Sequence, residues 1–212
     1  MKQEEKSLIA KNKIIRAATK LFSEKGYDET TMQDIMQLSG LSKGAIYHYF
    51  RSKQEIMEFL SNYAKEMVSN YLKELVDNQD LTAKQKIEKV ITYLSVNEAL
   101  PELTKGRWAE KIPFALLDTL RNTLNVLAEY IAAILEQGNK NKEFNCKYPK
   151  ELAGVLVLLI DVWLDPVIVN SDYQEMCNKV DFIMLLLEKF NAPIFSEEKC
   201  SEIKEVIRRY YV

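Results

Sequence analysis

Residues that break helices are scarce here: a chain of 212 residues holds only 6 Gly and 5 Pro. That scarcity, with an abundance of Leu, Ile, Lys, Glu and Met and no strand-like alternation, predicts an all-α protein with enough chain for a substantial core. Histidine is nearly absent. Its one instance, His48, leaves no His-based triad, His metal cluster or His general base elsewhere. No Gly-rich phosphate loop precedes a helix either, so no enzyme, cofactor or metal site is expected. The 3 cysteines, Cys146, Cys177 and Cys200, are odd in number and match no metal or redox spacing. They read as small buried hydrophobes in a reduced cytosol rather than as a disulfide framework or thiol sensor. Met1 to Lys13 is charged and lacks an apolar stretch of secretory type, so the expected location is cytoplasmic.

A membrane span is considered at one place, Leu152 to Val169 (LAGVLVLLIDVWLDPVIV). Asp161 and Asp165 lie four apart, on one face of the helix expected here, and Pro166 follows. Two carboxylates would be costly in hydrocarbon. The segment is therefore expected as a helix buried on nearly all sides, inside the body or at a subunit interface, with no membrane contact.

Charge is distributed unevenly. The net charge is −2, yet residues 1–53 hold 10 Lys and Arg against 6 Asp and Glu, a net +4, and the remainder carries −6. A basic head on an acidic body suits a protein that meets phosphates at one end only.

The densest information lies between Thr31 and Lys53 (TMQDIMQLSGLSKGAIYHYFRSK). Thr31 with Asp34 three residues on makes a capping-box-like helix start, and Met32, Ile35 and Met36 supply its apolar stripe. Gly40 stands where that helix must stop and the chain must turn. Ser42 then caps a second short helix. Along it Ile46 and Phe50 face inward, which leaves Lys43, Gly44, Ala45, Tyr47 and His48 on the other side. A recognition helix enters the major groove by its N-terminal end, so small or basic residues belong first, as Lys43, Gly44 and Ala45 are. Tyr47, His48 and Tyr49 offer donors one turn later, and Lys53 adds a charge at the start of the next helix. This is a helix-turn-helix shaped for duplex DNA.

At these residues the chain resembles a known family. The run from Ile14 to Lys53 is similar to the N-terminal DNA-binding domain of the TetR family of bacterial transcription regulators. The shared features are the A-x-x-L-F-x-x-x-G-Y opening, the T-T pair, the S-G-L-S-x-G turn, the Y-x-Y-F ending and the S-K-x-E continuation. The resemblance implies that Thr31 and Gln33 touch the DNA backbone and a base edge. It gives Lys43, Gly44 and Ala45 the bases, and Tyr47, His48 and Lys53 the phosphates. It further implies a homodimer formed through two late helices, here Lys150 to Asn170 and Tyr173 to Phe190.

The remaining pattern divides the chain into a DNA-binding domain over 1–53 and a helical effector-binding and dimerisation domain over 54–212. Helices are expected at Ser7 to Lys25, with Ile14, Ala18, Leu21 and Phe22 inward, and from the Ser52–Glu55 capping box to Asp77. Others follow at Thr82 to Leu100, near Pro101 to Glu110, from Pro113 to Gln137, and at Ser196 to Tyr211. A loop is expected over Gly138 to Pro149. In the body, Trp108, Phe114, Trp163, Tyr93 and Tyr130 are candidates to enclose an apolar cavity, and the resemblance implies that such cavities take small effectors. Trp108 lies between Pro101 and Pro113, where the resemblance places a helix linking ligand to DNA head. Asp161 and Asp165 must be neutralised, paired, exposed or used to bind a cation. Trp108, Phe114, Asp161 and Trp163 are the effector-site candidates. The expected function is a repressor that leaves a palindromic operator when an unknown small molecule binds. The competing expectation is a structural DNA-binding protein whose C-terminal domain docks a protein partner.

Overall fold

Ile14, Ala17, Ala18 and Phe22 recur at helical spacing, and in the computed structural model they form the inner face of α1, Gln3–Glu24. The structure describes residues 3–96, 115–165, 168–208 and 211. Among these it is helical throughout, with no strand. After α1 come α2 (Met32–Ser39), α3 (Lys43–Tyr49), α4 (Lys53–Asp77) and α5 (Ala83–Val96). Next are α6 (Ala115–Asn122), a π-helical turn at Thr123–Leu127, and α7 (Ala128–Lys140). Then follow α8 (Pro149–Leu158), a second π-helical turn at Leu159–Trp163, α9 (Tyr173–Lys189) and α10 (Glu197–Arg208).

The chain divides into two compact units at Met67 and Val68, within α4. In the N-terminal unit α1 packs on α2 and α3, and the core gathers Ile14, Phe22, Ile35, Ile46 and Phe50 with Ile56, Met57 and Leu60 of α4. The first two turns of α4 thus complete the head's core. Lys11 adds its ammonium over the Phe59 ring at 3.9 Å.

The C-terminal unit packs α7 against α8 and α5. Ile134, Leu135, Ala153, Leu156, Ile183 and Leu187 centre its core. A satellite cluster of Met176, Val180, Cys200 and Ile207 seats α10 on α9. All three cysteines are buried and unpaired, and burial raises the thiol pKa of Cys146 and Cys200. Polar ties hold the corner between α4 and α5. Lys86 is wholly buried and donates to the Val76 carbonyl at 2.9 Å, satisfying an orphan group at the end of α4. Burial lowers its pKa. Glu143 accepts from the Ala83 and Lys84 amides at 2.9 and 3.3 Å, capping α5 from 60 residues away. Gln137 donates to the Leu81 carbonyl at 3.1 Å.

Four sequence expectations change here. Gly138 lies inside α7 rather than opening the loop, because the Phe144 ring folds back onto the space where a Cβ would stand. The apolar helix expected to reach Asn170 ends at Trp163. Leu164 donates to the Leu159 carbonyl at 2.9 Å, an i→i−5 bond that closes a π turn. Asp165 precedes Pro166 in sequence, which disfavours the α conformation there. Asp161 and Asp165 thus do not share a helical face. Nor is this helix buried all round: Leu152, Ala153, Leu156 and Val157 face the core while Val155 and Ile160 are exposed. On α9, Phe182 and Leu185 are likewise exposed, at 50% and 49%. Among the described residues no helix is long and apolar enough to cross a membrane.

Candidate nucleic-acid interface

The local sequence builds the helix-turn-helix almost unaided. Thr31 is extended at φ −108° and ψ 158°, and its hydroxyl accepts from the Asp34 amide at 3.1 Å. The Asp34 carboxylate answers by accepting from the Thr31 amide at 2.8 Å, so the capping box is reciprocal. Lys25 reaches the same carboxylate at 2.8 Å. That bond, with those from Thr31, holds the Asp34 carboxyl down at a pKa of about 2. Gly40 ends α2 at φ 68°, a left-handed conformation that a residue without Cβ adopts at least cost, and its amide bonds the Met36 carbonyl. Ser42 caps α3 by accepting from the Ala45 amide at 3.3 Å. Ile46 and Phe50 are buried.

The outward face then follows from the helical period. Lys43, Gly44, Tyr47 and His48 are exposed and Ala45 is half-buried. The Lys43 ammonium stands 5.8 Å from the Tyr47 ring centroid, and His48 meets Tyr49 edge-on at 4.9 Å. Tyr49 itself turns back, donating to the Ser7 hydroxyl at 3.1 Å. Thr31 and Gln33 are exposed at the start of α2. Gly44 has no atom within 4 Å of a Cβ position and no positive φ. Nothing inside the protein requires glycine there; an approaching backbone would.

The resemblance implies a phosphate role for Lys53, and in the structure its side chain is turned into the head. Its Nζ donates to the carbonyls of Tyr27, Asp28 and Thr30 at 2.7, 2.9 and 3.1 Å, and lies 4.5 Å from the Tyr27 ring centroid. All three ammonium donors are engaged within the head. Sequence reading missed this because a lysine at a helix start gives no sign of what lies 26 residues earlier. It also passed over Leu38 and Arg51, which are exposed beside the two helices.

The effector candidates fare unequally. Trp108 and Phe114 lie outside the described residues. Asp161 and Trp163 share the second π turn. Asp161 accepts a 2.6 Å hydrogen bond from the buried Thr123 hydroxyl at the first π turn, and burial raises its pKa. Trp163 meets Phe182 edge-on at 5.7 Å, while Lys179 donates to its carbonyl at 3.0 Å. Tyr93 stacks on Tyr71 at 4.1 Å and its hydroxyl is buried without a partner among the described residues. An open cleft of about 650 Å³ borders Asn139, Glu143, Phe144, Glu188 and Asn191, and neither Asp161 nor Trp163 lines it.

This geometry has counterparts. The sequence model for bacterial regulatory proteins of the tetR family matches residues 14–60, the span from α1 to the second turn of α4. Residues 14–60 thus carry a DNA-binding domain of the tetR type. Among curated relatives, the probable HTH-type transcriptional regulator YttP of Bacillus subtilis (strain 168) is 27% identical over 164 residues, covering 74% of this chain and 78% of that protein. IcaR, the negative transcriptional regulator of the biofilm operon icaADBC in Staphylococcus aureus (strain Newman), is 50% identical over 48 residues. That alignment covers 23% of this chain and 26% of IcaR, so it concerns the head alone. A crystal structure of a gamma-butyrolactone receptor (ArpA like protein) aligns over 96% of this chain and 97% of its own, with TM-score 0.61 at 16% identity. At that identity the likeness shows a shared fold. The chain is a TetR-like DNA-binding transcriptional regulator.

Proposed function

We propose that this regulator is a dimeric repressor that reads a palindromic operator and is released from it by a small effector. The observation that carries the DNA-reading half is the exposed set Lys43, Gly44, Tyr47 and His48 on one face of a helix whose N-terminus is capped and open. Lys43 and Gly44 meet base edges, Tyr47 and His48 hold phosphates, and Thr31 and Gln33 fix the register from α2. The domain that follows carries dimerisation and sensing.

Exposed Val155, Ile160, Phe182 and Leu185 support a dimer through α8 and α9, since large apolar side chains on neighbouring helices call for a cover. Two such heads enter successive major grooves when about 34 Å apart, and an effector that changes this spacing weakens binding. The IcaR name describes a negative regulator and the ArpA-like neighbour is titled a receptor, and both favour an effector-released repressor here. Asp161 and Trp163 are proposed to line the effector site. No relative supports a structural DNA-binding protein that docks a protein partner.

Selection of bound sequences from randomised duplex DNA tests the reading, and an inverted repeat should emerge. Leu185→Arg should leave the chain folded, because this side chain is already half-exposed. It should yield monomers in sedimentation and much weaker operator binding. A non-palindromic selection, or a Leu185→Arg protein that stays dimeric, overturns the dimer.

A further inference from the structure

Every donor of Lys53 is already engaged. An ammonium has three N–H donors, and here three carbonyls of one loop lie at 2.7 to 3.1 Å from it. The side chain leaves the first residue of α4, where the helix dipole disfavours a positive charge, so these carbonyls and the Tyr27 ring must offset that penalty.

The loop so gripped runs from Lys25 to Thr31 and leads directly into α2. Gly26 turns it at φ 87°. Tyr27 is buried against Phe22 at 5.3 Å. Thr30, wholly buried, donates from its hydroxyl to the Gly26 carbonyl at 2.7 Å. Thr31, next in sequence, is the cap of α2. Lys53 and Thr30 thus hold one loop by different groups, and the side chain of α4 reaches the residue beside the α2 cap.

We propose that Lys53 is a positioning residue for DNA recognition: it straps the first turn of α4 to the loop before α2, fixing Thr31 and Gln33 for the duplex without touching phosphate. The inference rests on the DNA-binding reading and extends it. The loop and the start of α4 move as one piece, so a displacement of α4 carries the α2 end with it.

Salt dependence separates the strap from a phosphate contact. Lys53→Met, Lys53→Arg and, as a control, Lys43→Met are titrated against the selected operator and against unrelated duplex DNA over a range of salt. With the strap, both Lys53 variants lose about tenfold in operator affinity. Their affinity for unrelated DNA and their salt slopes stay as in the parent, and amide exchange over residues 27–34 quickens. Arginine fails to rescue because its planar fork does not fit a cradle of three carbonyls. With a phosphate contact, Lys53→Met lowers the slope by about 0.9 on both duplexes and Lys53→Arg behaves as the parent, which overturns the proposal. Unchanged affinity and exchange in both variants overturn it equally.

Should either variant fail to fold, lysine acetylation footprinting of the unaltered full chain decides. The strap leaves Lys53 equally protected in free and DNA-bound protein. Protection of Lys53 that appears only with DNA refutes it. Loss of DNA binding by Lys43→Met with no change at Lys53 would fault neither the strap nor the regulator, whereas failure of the parent to bind any duplex would fault the regulator itself.

Discussion

The caps of the head's two reading helices close locally, whereas several ties of the body span much of its length. Thr31 with Asp34 and Ser42 with Ala45 close their caps over three residues. In the body Gln137 reaches Leu81 over 56 residues, Glu143 reaches Ala83 over 60, and Thr123 reaches Asp161 over 38. A bond between near neighbours depends on the local residue pattern, whereas one across 60 residues depends on every helix between. The two reading helices are therefore set nearly locally, whereas the corner of the body around α5 and α7 takes its shape from packing.

The sharpest way to break that contrast is to empty the head's core. Ile46→Ala should cost about 2 to 5 kcal/mol and abolish operator binding. Circular dichroism and sedimentation should still report a folded, dimeric body. Loss of the body's transition with the head's would show one cooperative unit instead.

Gly138→Ala probes the body in the same spirit. Its Cβ would occupy the place of the Phe144 ring, displacing the loop that presents Glu143 to α5, so a loss of about 1 to 3 kcal/mol is expected in thermal or denaturant unfolding. A helix-favouring substitution that destabilises is the signature of long-range packing. Stabilisation would mean that local propensity governs the body as well.

A smaller effect, of about 1 kcal/mol, is expected from Asp161→Asn. The carboxylate's pKa is raised by burial, so its contribution to stability is greatest below the unfolded carboxylate range near 4 and is lost as pH rises through the folded value. Asparagine keeps an acceptor for the Thr123 hydroxyl without the buried charge. The variant should match the parent at pH 4 and exceed it at pH 7. Asp34 has the opposite sign: its carboxyl, held at about 2, supports the head above the ordinary range and loses that support as pH falls through about 2.

The smallest change in stability belongs to Gly44→Ala. With open space around the Cβ position, free-protein stability should shift by no more than about 0.5 kcal/mol and in the favourable direction. Operator affinity, read by fluorescence anisotropy, should nonetheless fall. Unimpaired binding would take Gly44 off the interface and weaken the argument that local sequence was shaped for an external partner.

Legibility in the sequence follows the same division. The Thr31 and Ser42 caps, the Gly40 turn and the buried pair Ile46 and Phe50 could all be read from spacing, because each depends on residues within one or two turns. Lys53 could not, since its partners lie 23 to 26 residues back on a loop whose carbonyls point inward only after folding. In the body, helices were legible by period, but the one expected to reach Asn170 ends at Trp163. The π turns were not, because an i→i−5 bond carries no residue signature of its own. Gly138 was taken as a loop signal when its meaning lay in Phe144. For Asp161 the pattern leaves neutralisation, pairing, exposure and cation binding open, and the Thr123 partner required the first π turn to be in place.

Those two turns bear on ancestry. A π turn accommodates one residue more than the α ladder would, so a single-residue insertion can be absorbed without rotating the remainder of the helix by about 100°. Relatives lacking either turn should align to this chain with a one-residue gap inside 123–127 or 159–163. Deleting a residue from the second turn should restore an unbroken ladder and withdraw Asp161 from Thr123, leaving a chain one residue shorter with a differently wired body.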